Sequence, residues 1–247
     1  MLTAGCQQEK APPLTSLAPA PLEPLVGVAV DGGSDLHRLA PAPVWGAPVP
    51  TEAARVQVRG GELQLGTRRF ASALDGGPGP LLSELNGRAV LLVPDEDSYL
   101  AQVAPLLAAL DDVRTGVWLL HPSGAVAFKV LLRDEKAFDA WLDEPRPGRI
   151  RVVQRQDGLE LVTGIGKLAG PDPNGPTVPV RGGRLDVATA RLGLQRLRQR
   201  FPAATDACLV PSFGTELRAA ATALSAFWAG PGQPLFDTIC LVYPRPR

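Results

Sequence analysis

Few groups in this sequence could do chemistry, and they stand far apart. Asp95, Glu96 and Asp97 precede a predicted helix, and Asp111 and Asp112 follow it. Paired carboxylates can bind a cation or share acid and base roles in hydrolysis. Acids ahead of a helix also answer the partial positive charge of its N-terminus. The matching place later in the chain holds Ser212-Phe213-Gly214-Thr215, which keeps capping capacity without the charge. Capping is therefore the expected role, and an acidic hydrolase site is the alternative. Gly164-Ile165-Gly166-Lys167-Leu168-Ala169-Gly170 has the spacing of a phosphate loop, but Pro171, Pro173 and Pro176 leave no helix behind it to meet a phosphate. His37 and His121 are the only histidines. No Gly-x-Ser-x-Gly elbow accompanies them, and no Cys-x-x-Cys pair suggests a metal. Arg184, Arg191, Arg196, Arg198 and Arg200 lie on or near one predicted helix without neighbouring aromatic residues to stack bases, so a solvated face is expected. Cys208 and Cys240 fall in two apolar strands. They form a disulfide if those strands are neighbours in an oxidising compartment, or else serve as buried apolar side chains. No catalytic residue, cofactor-binding residue or metal ligand is expected, and the chain does not read as an enzyme.

The elements that would carry these groups recur. Val56–Phe70 aligns without a gap on Val178–Leu192, at an offset of 122 positions, and shares Val56, Val58, Arg59, Gly60, Gly61, Leu63, Thr67 and Arg69. Leu92-Val93-Pro94 matches Leu209-Val210-Pro211 at an offset of 117, followed by Leu100, Ala104 and Leu107 against Leu217, Ala221 and Leu224. Val117–Pro122 matches Ile239–Pro244, again at 122. Ordered matches of this kind point to internal duplication. Each copy reads as strand, double-glycine turn, strand, helix, strand, helix, strand. The helices are expected at 80–85 and 188–201, and then from about Tyr99 and from Leu217 to Trp228. Strands are expected at 89–93, 116–120, 207–210 and 238–242. A further strand at 125–132, a helix at 135–142 and a hairpin at 149–153 and 158–162 join the copies, and 25–30 could lead into the first. The expected fold is α+β: two copies of a small mixed-sheet module (β-β-α-β-α-β) with helices packed on one face. Its divisions are 1–24 (tether), 25–145 (first module) and 146–247 (second module).

Composition narrows function further. Lys+Arg and Asp+Glu both number 25, so no net charge draws the chain to nucleic acid or an anionic membrane. Gly and Pro number 26 each and gather in runs that read as stiff loops between compact elements. No apolar run approaches the roughly 20 residues of a membrane span.

Leu2-Thr3-Ala4-Gly5-Cys6 resembles the end of a bacterial lipoprotein signal, in which the cysteine becomes the lipidated N-terminus. Thr3 stands where an aliphatic residue is usual, and the charged start and apolar stretch of a signal peptide do not precede it. The Pro-rich stretch after Cys6 suits a tether. The order of elements, carried by Val56–Leu65, Val90–Asp97, Tyr99–Leu110, Gly116–Leu120 and their later counterparts, resembles the periplasmic domain of the ExbD/TolR family. These proteins assist ion-driven motors that energise outer-membrane transport. Family members also carry a transmembrane helix with a proton-linked aspartate, which has no counterpart here, so no motor role passes to any residue. The resemblance implies a periplasmic module that binds a protein partner in the cell envelope, with peptidoglycan as a further possible contact. The expected protein is a non-enzymatic binding or adaptor lipoprotein, without cofactors, that meets the membrane only through lipid on Cys6. A structural subunit of an envelope machine, pairing through its sheet edges, is the second reading.

Overall fold

Alternating apolar residues around paired glycines produce the first hairpin. The structure is a computed structural model and describes residues 43–70, 77–144 and 149–244. Cys6, His37, the tether and the strand expected at 25–30 lie outside the described residues. Strand β1 (Ala54–Arg59) turns back into β2 (Glu62–Leu65) through Gly60 and Gly61, at φ of 49° and 95°. These are left-handed values that a side chain would strain. β3 (Arg68–Phe70) continues the meander. Helix α1 (Gly79–Leu85), β4 (Val90–Pro94), α2 (Leu100–Asp112) and β5 (Val117–Leu120) follow, with β1, β4 and β5 mutually parallel. β6 (Ala127–Asp134) runs antiparallel to β5 and leads into α3 (Glu135–Asp143), which Asp134 caps by accepting a hydrogen bond from Ala137 N at 2.6 Å.

The second half opens with the expected hairpin, β7 (Ile150–Arg155) and β8 (Gly158–Thr163). β9 (Gly166–Lys167), β10 (Val178–Arg181) and β11 (Arg184–Leu185) come next, then α4 (Val187–Arg200) and β12 (Asp206–Pro211). Helix α5 (Leu217–Leu224) gives way to a 3-10 turn at Ser225–Phe227 and a small ribbon of β13 (Trp228–Gly230) and β14 (Gln233–Pro234), before β15 (Thr238–Tyr243). The second helix of this half thus ends four residues short of the expected Trp228. Gly230, Pro231 and Gly232 cannot continue it, and Gly232 turns the ribbon at φ 68°.

The structure is mixed α+β, as expected, with five helices and one large mixed sheet. Two separate small sheets do not form. A single 13-stranded sheet runs β11-β10-β8-β7-β12-β15-β6-β5-β4-β1-β2-β3, with β9 also paired to β8. β6 joins the halves: Ala127–Val130 pair with β5, and Leu131–Asp134 pair with β15.

The alignment of Val56–Phe70 on Val178–Leu192 does not survive in space. β1 lies beside β4, but β10 pairs with β8 and is separated from β12 by two strands, β8 and β7. Pro179 explains this, because a residue without an N–H is kept out of a central strand. β7 takes the place beside β12. The registers agree: Val56 faces Leu65 and Leu92, while Val152 faces Leu161 and Leu209.

The main core gathers Val56, Val58, Leu92, Val152 and Leu209 with the buried sides of α1, α2, α4 and α5. A fully buried leucine contributes roughly 1.5–3 kcal/mol relative to an exposed one. α3 covers the opposite side of the sheet, where Phe138, Trp141 and Leu142 pack on Cys208, Cys240, Val210 and Val242. A strap at 45–47 ties the halves from outside. Ala47 exchanges two backbone hydrogen bonds with Ala127 (3.1 and 3.0 Å), and Trp45 lies under the Arg191 guanidinium, 3.8 Å from its ring centroid.

Candidate functional site

Apart from Cys208 and Cys240, the described residues that the sequence offers for chemistry are not brought together in one site. Asp95, Glu96 and Asp97 do not cap α2. Asp95 lies 3.7 Å from the Arg59 guanidinium, and Glu96 accepts from Arg218 of α5 at 3.0 Å. The N-cap is Tyr99, whose N–H donates to Gln102 Oε1 at 2.8 Å. The next N–H, that of Leu100, goes to Thr215 O in the other half at 2.9 Å, so the end is satisfied without the acids. Asp111 accepts from the Tyr243 hydroxyl at 3.0 Å, and burial raises both groups above their usual ranges. His121 is buried. Its Nδ1 accepts from Ser123 N at 3.1 Å and lies 2.9 Å from Ser123 Oγ, a contact within one turn. Burial lowers its basicity.

The arginines do not form one solvated face. Arg191 is buried and donates to the carbonyls of Pro43 and Ser225, Arg198 donates to Phe201 O and Pro202 O at the end of α4, and Arg184 lies on β11. Gly164 and Ile165 form the turn between β8 and β9, with no helix after it. Cys208 and Cys240 are directly paired on neighbouring parallel strands and form a disulfide, with Cα atoms 4.4 Å apart. Trp141 shields it, held by a hydrogen bond to Asp206 and by Arg149 stacked 4.5 Å from the ring centroid. Among the described residues, no three His, Cys, Asp or Glu side chains gather as metal ligands would. No described helix is long and apolar enough to cross a membrane.

Two clefts remain. One, of about 800 Å³, lies between the halves and is lined by Asp111, Arg114, Lys129, Trp228, Phe236 and Asp237, among others. The other, of about 670 Å³, opens at the carboxyl ends of β7 and β12. From there the chain leaves β7 for β8 on one side, and leaves β12 through α5 for β15 on the other. Adjacent parallel strands whose connections diverge leave a crevice between them, where open α/β sheets receive ligands.

Gln154 forms the floor of this second cleft. It is the third inward position of β7, after Ile150 and Val152, and is 8% exposed. Its Oε1 is buried and accepts no hydrogen bond from any described residue. The walls come from the Gly183–Leu185 turn, the Ser212–Glu216 loop and Ala219 of α5. Thr215 holds the loop: its N–H donates to Ser212 O at 3.0 Å, and its hydroxyl lies 2.9 Å from Ser212 Oγ. Arg155 is spent on Asp157 and Glu160, at 3.0 and 2.7 Å.

The matching place in the first half is filled. Val58 pairs with Pro94 as Gln154 pairs with Pro211. There the fully buried Ser98 donates to Val58 O at 2.6 Å and accepts from Asp95 N at 3.1 Å. Sequence reasoning missed Gln154. Its one signal was a polar residue on the inward phase of an alternating strand. The arrangement offers a buried acceptor on its floor and charged and hydroxyl side chains on its walls, which suits binding. Comparison of the chain with protein-family models, curated proteins and solved structures returns no match.

Proposed function

We propose that this chain is a non-enzymatic binding or adaptor protein of the cell envelope, facing the periplasm and held to a membrane by lipid on Cys6. The observation that carries the reading is the disulfide between Cys208 and Cys240 inside the sheet. Such bonds persist in oxidising compartments and are rare where thiols are kept reduced. The Cys6 motif and the Pro-rich stretch behind it agree with export and tethering.

The finer architecture we propose is one ExbD/TolR-like unit written twice, with β7 and β8 in place of β10 and β11 as the counterparts of β1 and β2. Arg55-Val56, Arg59, Leu63 and Leu65 then correspond to Arg151-Val152, Arg155, Leu159 and Leu161 at an offset of 96. Support comes from the contact between the halves. Leu100 N–H donates to Thr215 O at 2.9 Å and Leu217 N–H donates to Ser98 O at 2.8 Å. Both pairs are related by the offset of 117, so corresponding residues meet reciprocally, as across a twofold axis.

Metabolic labelling with an alkyne fatty acid tests the reading on the protein expressed from its own gene in its own cells. Label in the membrane fraction that disappears in Cys6→Ala is the expected result. Equal labelling of Cys6→Ala, or unlabelled protein in the cytoplasmic fraction, would defeat it.

A further inference from the structure

We propose that the cleft above Gln154 binds a short zwitterionic peptide, with a peptide N–H donating to Gln154 Oε1. The inference goes beyond the adaptor reading and holds whichever compartment the protein occupies. Three observations meet here. The first is a buried amide oxygen, on the cleft floor, that receives no hydrogen bond from any described residue. A buried acceptor left unpaired is costly, and a ligand donor relieves that cost.

The second is the charge of the walls. Arg184 and Glu216 both line the cleft, and neither makes an ion pair among the described residues. One cation and one anion suit a ligand that carries both charges: Glu216 for an ammonium, Arg184 for a carboxylate. A phosphate or polyanion is disfavoured, because Arg155 is already engaged by two carboxylates. A purely apolar ligand would leave Gln154 unanswered.

The third is the contrast between the halves. Val58 and the Ser98 hydroxyl close the first crevice, whereas Gln154 and the self-paired Ser212 and Thr215 leave the second open. Its volume of about 670 Å³ falls within the usual range for small-ligand sites.

Isothermal titration calorimetry of the intact chain with tri-alanine tests the proposal, alongside N-acetyl-tri-alanine amide and free alanine. Saturable binding of tri-alanine is expected, weakened about tenfold or more in Gln154→Val and abolished in Ala219→Phe, which fills the cleft from α5. The doubly blocked peptide should also bind at least about tenfold more weakly. Circular dichroism melting of each variant separates lost binding from lost folding, and Ala219→Phe reaches the cleft without touching the floor. The proposal is overturned if tri-alanine gives no saturable heat, if folded Gln154→Val and Ala219→Phe bind it as wild type does, or if free alanine or the blocked peptide binds equally well.

Discussion

Gln154 occupies a position where Val58, its counterpart in the first half, is aliphatic, and the two differ in what covers them. An unpaired buried acceptor costs about 1–3 kcal/mol. Gln154→Val should therefore raise stability by roughly 1 kcal/mol, read as a higher urea midpoint at unchanged slope. A lower midpoint would mean that the amide holds the fold. Its inward phase on β7 is the only local sign of burial, because its cover comes from β11 with its preceding turn and from the Ser212–Glu216 loop, both distant in sequence. His121 supplies a pH prediction. Burial lowers its folded-state pKa, so the folded ring stays neutral while the unfolded one gains a proton below about pH 6.5. The unfolded state then binds more protons, and stability is complete above that pH and falls as the pH drops below it. His121→Asn keeps an acceptor for Ser123 N–H but does not titrate. Melting temperatures of wild type and variant should run parallel from pH 8 to 7 and diverge below 6.5, with wild type falling faster.

At the scale of elements, the strongest local patterns were readable and their partners were not. Helix α4 and the strands β4 and β12 lie where periodicity and flanking breakers place them, to within a residue or two. The two double-glycine turns were legible because both need positive φ, and each adopts it. Hairpin identity was misassigned because Val178–Leu185 looks more like Val56–Leu65 than Ile150–Leu161 does, while pairing favours β7, which is longer than β10 and has no proline. The acids before α2 were misread for a similar reason: the group that satisfies Leu100 N–H is a carbonyl from the other half. Cysteine pairing depended on β12 and β15 being neighbours, which the strand–helix–strand order suggests but does not dictate. The disulfide closes a loop with a sequence separation of 32 residues, worth about 3–4 kcal/mol by chain entropy. Replacing both cysteines by alanine should lower the unfolding free energy by that order in urea titrations. Trp141→Ala, which uncovers the bond, takes one donor from Asp206 and removes the ring under Arg149, should cost about 3–5 kcal/mol.

On the scale of the whole molecule, the two halves of the single large sheet are joined by a shared strand, reciprocal backbone bonds and the strap at 45–47. β6 gives half its length to each side, so neither half keeps a complete sheet alone. Tryptophan fluorescence and far-ultraviolet circular dichroism should therefore report one coincident urea transition, and residues 43–144 expressed alone should lack a cooperative one. The sequence suggested two related halves, as proposed above, but not this union, because β6–β15 pairing joins segments with no repeat signal between them. The proposed location draws its support from the same scale, since disulfides such as the one in this sheet persist in oxidising compartments and are rare where thiols are kept reduced. The most direct test is peptide mapping by mass spectrometry of protein taken from its native cells, alkylated before unfolding and again after it, without reductant. The account predicts one linked fragment containing Cys208 and Cys240; recovery of both as separately alkylated thiols would contradict it.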